Sequence, residues 1–191
     1  MRPSKPRVAP LDEKQWDPEI QPLMDVMKAF GGGRVFNIFG TVAHHPKLLK
    51  NWMVFGTQIL NKSTLPARER EIVILRIGWL CRAGYEWGQH VAIGKQCGLT
   101  DEEITRITRG PDAAGWNELD KLLLQAADEL HKDHCVSDAT WKALGNKLDT
   151  KQMLDLLFTV GQYTLVSMVL NSLGVELDPG LSGFPTSARE G

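Results

Sequence analysis

The stretch Cys81-Arg82-Ala83-Gly84-Tyr85-Glu86-Trp87-Gly88-Gln89-His90 holds more potential chemistry than any other part of this chain. Residues four apart on a helix lie about 40° apart on one face, so Glu86 and His90 can point into one site. Histidine titrates near neutrality and a part-buried glutamate can be tuned toward it, which makes the two a minimal acid/base kit. Taken alone, the same spacing also describes a surface pair worth only a few tenths of a kcal/mol (about 0.2–0.5). Tyr85 and Trp87 flank the pair, as core residues or as walls of a pocket. Cys81 lies on the far side of the same helix if it is unbroken, about 180° from His90. Cys97 is on the His90 stripe but roughly 10 Å farther along the axis, beyond a direct hydrogen bond.

Helices must carry these groups, and the apolar spacing supplies them. Ile20, Leu23, Met24 and Met27 follow one helical face, which Gly31-Gly32-Gly33 ends. Val35 to Ala43 reads as a short apolar helix, and Pro46 suits the first turn of the next, which continues through Leu48, Leu49, Trp52, Ile59 and Leu60. Pro66 restarts the chain before Ile72, Val73, Leu75, Ile77 and Leu80, and Gly84 is expected to break it before a helix over Tyr85 to Gln96. Thr100 and Glu103 form a capping box. Leu119 to Leu130 marks a longer helix, Ser137 caps another, and Thr150 is expected to cap the last, up to Gly174. No stretch alternates with period two between hairpin turns, so the fold is expected to be all-α, with about eight helices. A single domain over residues 16–175 is expected, with a flexible arm at 1–15 and a C-terminal tail at 176–191.

Composition limits the function classes. A formal net charge of −1 gives no field for nucleic acid. Three cysteines without zinc spacing fit a reducing compartment, and Val8 to Leu11 is too short for the core of a signal peptide. No apolar run approaches the ~18 residues of a membrane span, so a cytoplasmic protein without membrane or nucleic-acid partners is expected. The last helix is apolar on nearly every side, and in a chain this small a partner subunit is expected to cover part of it.

From Leu65 to Ile104 the chain resembles the carboxymuconolactone decarboxylase family, which includes the AhpD-like alkylhydroperoxidases. The resemblance rests on Arg68-Glu69-Arg70-Glu71-Ile72-Val73-Ile74-Leu75-Arg76, Tyr85-Glu86-Trp87-Gly88-Gln89-His90 and Gly98-Leu99-Thr100-Asp101-Glu102-Glu103-Ile104, in that order. It implies an AhpD-like helical domain in an intertwined homo-oligomer (dimer, trimer or hexamer), with the site near subunit contacts. AhpD-like peroxidases carry Cys-x-x-Cys-x-x-x-His with an upstream glutamate. Counting back from His90, the cysteine positions here are Ala83 and Glu86, so a two-cysteine peroxidase is excluded. The decarboxylase branch has Glu-x-x-x-His in this place, which Glu86 and His90 preserve, and Glu71 aligns with the upstream glutamate. On a straight rod Glu71 would lie about 28 Å from His90, so the two cooperate only if the chain folds back, most simply at Ala83-Gly84.

The resulting expectation is a cofactor-independent, metal-free enzyme acting on a small unsaturated carboxylate or lactone. His90 would be the acid/base, Glu86 would tune it, Glu71 would assist, and Tyr85 and Trp87 would shape the pocket. Cys81 and, beside the preceding short helix, His44 are further candidates for substrate contact. Arg68, Arg76 and Arg82 are the nearby groups that could receive a carboxylate. His131-x-x-His134 has metal-like spacing but no third ligand nearby. Two alternatives stand beside this reading. One is a thiol-dependent activity through Cys81 alone, the other a non-catalytic helical oligomer that binds a small hydrophobic ligand.

Overall fold

Proline and cap residues set the starts of most helices. In a computed structural model that describes residues 3–185, nine α-helices follow two short 3-10 turns, with no strand among the described residues. The helices are α1 (Gln21–Phe30), α2 (Asn37–Val42), α3 (Pro46–Asn61), α4 (Ala67–Leu80) and α5 (Gly84–Gln96), then α6 (Asp101–Arg109), α7 (Glu118–Asp133), α8 (Asp138–Gly145) and α9 (Thr150–Leu173). The all-α expectation holds, with nine helices in place of about eight. Thr100 and Glu103 form the expected capping box on α6, and Ser137 caps α8. Asp149, not Thr150, caps α9: its carboxylate accepts from the Gln152 N–H, and Gln152 returns the bond. A carboxylate at this position also meets the positive end of the helix dipole.

The core is built around α4, whose residues from Arg70 to Gly78 are all buried. Two faces of that helix pack in different directions. Val73, Ile74 and Ile77 meet Leu123, Ala126 and Ala127 of α7 and Leu156, Val160 and Tyr163 of α9. Ile72 and Leu75 meet Trp87, Leu99, Ile104, Ile107 and Leu124. Each fully buried aliphatic side chain in this layer contributes about 1.5–3 kcal/mol of transfer free energy. A helix held on every side is a fixed platform for whatever polar groups it carries.

The chain reverses between α4 and α5 over Cys81 to Ala83, immediately before Gly84. Arg82 takes the left-handed conformation at φ 53°, and the Ala83 and Arg82 N–H groups bond back to Gly78 and Trp79 carbonyls at 2.8 and 2.9 Å. This satisfies the orphan carbonyls at the end of α4 and lets Gly84 open α5 directly.

The two terminal segments lie against the helical body. None of residues 3–15 is buried, yet the Leu11 N–H bonds to the Gly40 carbonyl at 3.0 Å and the Arg7 N–H to that of Leu173 at 2.8 Å. The segment from 176 to 185, expected to be a tail, packs on α5, while residues 186–191 lie outside the described residues. Its approach is so close that a Cβ on Gly88 would sit 2.7 Å from the Ser182 carbonyl oxygen. The ordered body therefore runs past 175.

Helix α9 is the one described helix long and apolar enough to cross a membrane by length and composition, although half of that window is buried within the protein. On its outer side it exposes Leu154, Phe158, Leu165 and Met168.

Candidate functional site

Glu71 stands on the face of α4 that looks at α5, in line with Leu75 and Gly78 one and two turns on. The reversal at Arg82 lays α5 antiparallel to it, and two glycines keep the pair close. A Cβ at Gly94 would lie 3.8 Å from the Glu71 Cβ, and one at Gly78 would lie 3.7 Å from the Glu86 Cγ. The residues that a straight rod would hold far apart thus meet. His90 Nδ1 is 2.7 Å from Glu71 Oε2, and His90 Nε2 is 3.0 Å from Glu86 Oε1. Glu71 is 0% exposed, and Glu86 and His90 are 5% exposed each, so the solvated-face alternative for Glu71 is gone.

Carboxylates only accept hydrogen bonds, and a neutral imidazole has one N–H. Short contacts from both ring nitrogens to carboxylates therefore call for the doubly protonated ring. Burial on its own would lower the His90 pKa, but the charges of Glu71 and Glu86 and the hydrogen bonds they accept outweigh it, leaving it raised to about 10. At neutral pH the group is a stored proton between two carboxylates. The ring of Tyr163, from α9, meets that of His90 edge to face, with centroids 4.9 Å apart and an interplanar angle of 85°. Burial, then Glu86 and Glu71, push the Tyr163 phenol well above its ordinary range, so it stays neutral.

Behind the relay stands Arg70, 8% exposed, on the α4 face shared with Val73, Ile74 and Ile77. Its Nε lies 3.7 Å from Glu71 Oε1, too far for a hydrogen bond, and both atoms are buried without a hydrogen-bond partner among the described residues. Its charge reaches Tyr163 and Cys97, where it opposes the rise that burial imposes on the phenol and the thiol. With that thiol pushed up by burial and by Glu71, Cys97 has no thiolate character.

Other candidates lie elsewhere. The Tyr85 hydroxyl donates to Asp178 Oδ2 and accepts from the Ile38 N–H at 3.3 Å, so it anchors the C-terminal segment and does not face His90. Burial and the Asp178 charge push its pKa upward. Trp87 packs with Trp79 and Phe184, at centroid distances of 5.7 and 5.6 Å, on the apolar side of α5 away from the relay. His44 is exposed, with Nε2 3.0 Å from the Ala9 carbonyl oxygen, and tethers the N-terminal arm. Cys81 closes α4 and directs its sulfur toward α7, with Sγ 3.8 Å from His131 Nδ1. Among the described residues no group of three or more His, Cys, Asp or Glu is arranged to hold a metal ion.

Two of the three arginines expected to receive a carboxylate are already engaged inside the fold. Arg68 donates to both oxygens of Asp120 at 2.9 and 2.8 Å and to Glu103. Arg76 holds both oxygens of Asp128 and the carbonyls of Ile107 and Thr108. Arg82 is exposed at the reversal. Sequence reasoning passed over Arg70 and Tyr163. The i, i+3, i+4, i+7 run of Arg70 with Val73, Ile74 and Ile77 was the available signal that this arginine faces inward. Tyr163 carried none beyond being a phenol in an apolar helix.

Comparison with known proteins bears on the fold that carries these residues. Residues 46–129 match the model of the carboxymuconolactone decarboxylase family. No functionally curated protein matches the sequence. Among solved structures, an uncharacterized peroxidase-related protein from Silicibacter sp. TM1040 superposes with a TM-score of 0.78 at 16% identity, covering 94% of this chain and 95% of that one. An uncharacterized peroxidase-related protein with an alkylhydroperoxidase AhpD core, from Ralstonia eutropha JMP134, gives 0.79 at 18% identity, covering 90% and 93%. The debrominase Bmp8 in complex with 2,3,4-tribromopyrrole gives 0.77 at 12% identity, covering 92% and 94%. At such identities these neighbours establish a shared AhpD-like fold.

Proposed function

From the premise that residues 46–129 form a carboxymuconolactone decarboxylase family segment on an AhpD-like fold, we propose a cofactor-independent acid/base enzyme acting on a small unsaturated carboxylate or lactone. The observation that carries the proposal is the buried Glu71–His90–Glu86 relay, with the imidazole bound at both nitrogens. A solvated surface pair or a non-catalytic ligand-binding core would have no use for an enclosed ionised triad, because desolvating the charges costs several kcal/mol per ion (a rough figure).

In the decarboxylation this geometry supports, the carbon–carbon bond to the substrate carboxylate breaks and carbon dioxide leaves. The electron pair stays on the substrate, delocalised into the unsaturated carbonyl as a dienolate. His90 delivers its Nε2 proton to carbon, and the imidazole recovers a proton from solvent by way of Glu86. One proton is consumed for each carbon dioxide released. Glu71 holds the Nδ1 side and fixes the ring plane. A raised pKa makes the imidazolium a weak acid, so it yields its proton to a strong base such as a dienolate and to little else.

The test is turnover of small unsaturated carboxylates and lactones in heavy water, followed by carbon dioxide release and deuterium incorporation. A substrate found in this way should lose about 10²–10⁴ of its rate with His90→Ala, while the fold is retained. Full turnover by that variant would remove His90 from the chemistry.

The second reading, a thiol-dependent activity, has the Cys81–His131 contact in its favour. Iodoacetamide labelling across pH decides it: a thiol no faster than free cysteine at pH 7 ends that reading. We also assign a second copy of the chain to the outer stripe of α9, where Leu154, Phe158, Gly161, Leu165 and Met168 repeat at alternating four- and three-residue steps. The protein is then a cytoplasmic homo-oligomer, and sedimentation of Phe158→Glu against the parent reads this out.

A further inference from the structure

A substrate with an acidic end needs a cation at the site that the protein itself has not already consumed. Of the arginines on α4, Arg68 and Arg76 are each locked to acids at hydrogen-bond distance. Arg70 is different: it is 8% exposed and borders the relay, yet its Nε–H has no hydrogen-bond partner among the described residues. A charged donor buried without an acceptor is costly and rare in native folds, and it calls for an explanation. The nearest acceptor, Glu71 Oε1, lies 3.7 Å away and is likewise unpartnered.

We infer that Arg70 is the anion-receiving residue of the site, and that it takes the carboxylate of the substrate beside the Glu71–His90–Glu86 relay. The inference rests on the acid/base reading above and names the charged end of its substrate. Guanidinium geometry suits the role, because its planar fork matches both oxygens of a carboxylate. Charge favours it as well. With His90 protonated, the two carboxylates, the imidazolium and the guanidinium cancel, so an incoming anion meets a neutral site. Without Arg70 it would meet a net negative one and be repelled. Val73, Ile74 and Ile77, which share the Arg70 face, pack with Tyr163 of α9, and low-dielectric surroundings of this kind strengthen a charge contact.

The experiment compares sorbate, a small unsaturated carboxylate, with its neutral amide sorbamide, using the full chain. Two readouts are taken: affinity by calorimetry, and the Arg70 Nε–H resonance by nitrogen-edited NMR. The parent should bind sorbate more than tenfold tighter than sorbamide, and the Arg70 resonance should shift with sorbate alone. Arg70→Gln should cut sorbate affinity at least tenfold and leave sorbamide within twofold. Arg70→Lys, which keeps the charge but not the fork, should fall between. A parent that does not prefer sorbate, or that binds neither, overturns the assignment, as does an Arg70→Gln variant that keeps the preference. The NMR arm uses the parent protein, so it gives an answer even if Arg70→Gln does not fold. The double variant His90→Gln with Glu86→Gln, which removes one positive and one negative charge and keeps the site neutral, separates this from the acid/base reading: it should retain the carboxylate preference and lose turnover. Turnover surviving in that double variant with preference intact would sink the relay and leave Arg70 standing.

Discussion

Helix α5 carries two buried polar networks, and they differ in how completely they are satisfied. Around Tyr85, the hydroxyl donates to Asp178, Asp178 also accepts from Gln89 at 2.7 Å and from the Asn37 N–H at 3.0 Å, and the ring is packed. Around His90, the imidazole is fully bound, but the outer oxygen of Glu71 and the Arg70 Nε are left unmet. A closed network fixes one conformation and has nothing to offer a ligand. A network closed at its centre and open at its edge holds a proton in place and still has valence for a substrate. The first ties the C-terminal segment to the hairpin, and the second is where we place the chemistry.

Substitutions can break this contrast or sharpen it. The largest effect is expected from Glu71→Gln, which removes the group that pins Nδ1: turnover should fall by about 10²-fold or more, read as initial rate on any substrate identified. The same change should also lower the His90 pKa, because it deletes the leading charge that raises it. At the other network, Asp178→Asn should cost about 1–3 kcal/mol in chemical denaturation and leave kcat within a small factor, since the Tyr85 hydroxyl loses a charged acceptor but the relay is untouched. Gly88→Ala forces a Cβ onto the Ser182 carbonyl and should cost about 1–3 kcal/mol, with faster hydrogen exchange confined to the 176–185 segment.

The pH dependence of stability gives a smaller, signed effect. His90 has a folded pKa raised above its ordinary value near 6.5, so folding binds a proton that the unfolded chain releases earlier. Its contribution is fully present below about 6.5 and is lost as pH rises through about 10. Denaturation midpoints should therefore decline over that interval in the parent, and decline less in His90→Gln. The smallest change is expected from Cys81→Ser, which leaves the relay intact and should alter turnover less than twofold; a large loss would favour the thiol reading.

Much of the fold was legible because helices announce themselves locally. Pro46, Pro66, the Thr100–Glu103 box and the Ser137 cap are signals within a few residues, and apolar periodicity filled the intervals. The reversal was legible as a need, since Glu71 and His90 could meet no other way, and its place at Ala83-Gly84 falls within two residues of the left-handed Arg82, with Ala83 non-helical before α5 opens. Once the reversal is fixed, Glu71, Glu86 and His90 follow from helical geometry. What stayed hidden was set by tertiary packing. Nothing local shows that Arg68 and Arg76 are consumed within the fold, because their partners, Asp120 and Asp128, come from α7. Nor does Tyr85 reveal that Asp178, from a segment expected to be a tail, would claim its hydroxyl.

The central claim is that His90 is held doubly protonated between two carboxylates. Nitrogen-15 NMR of the imidazole reads this directly through the shifts of Nδ1 and Nε2 as pH is raised. The account predicts that both nitrogens remain protonated at pH 8, with the transition delayed toward 10. A ring that loses its second proton near 6.5, as an ordinary histidine does, would contradict it.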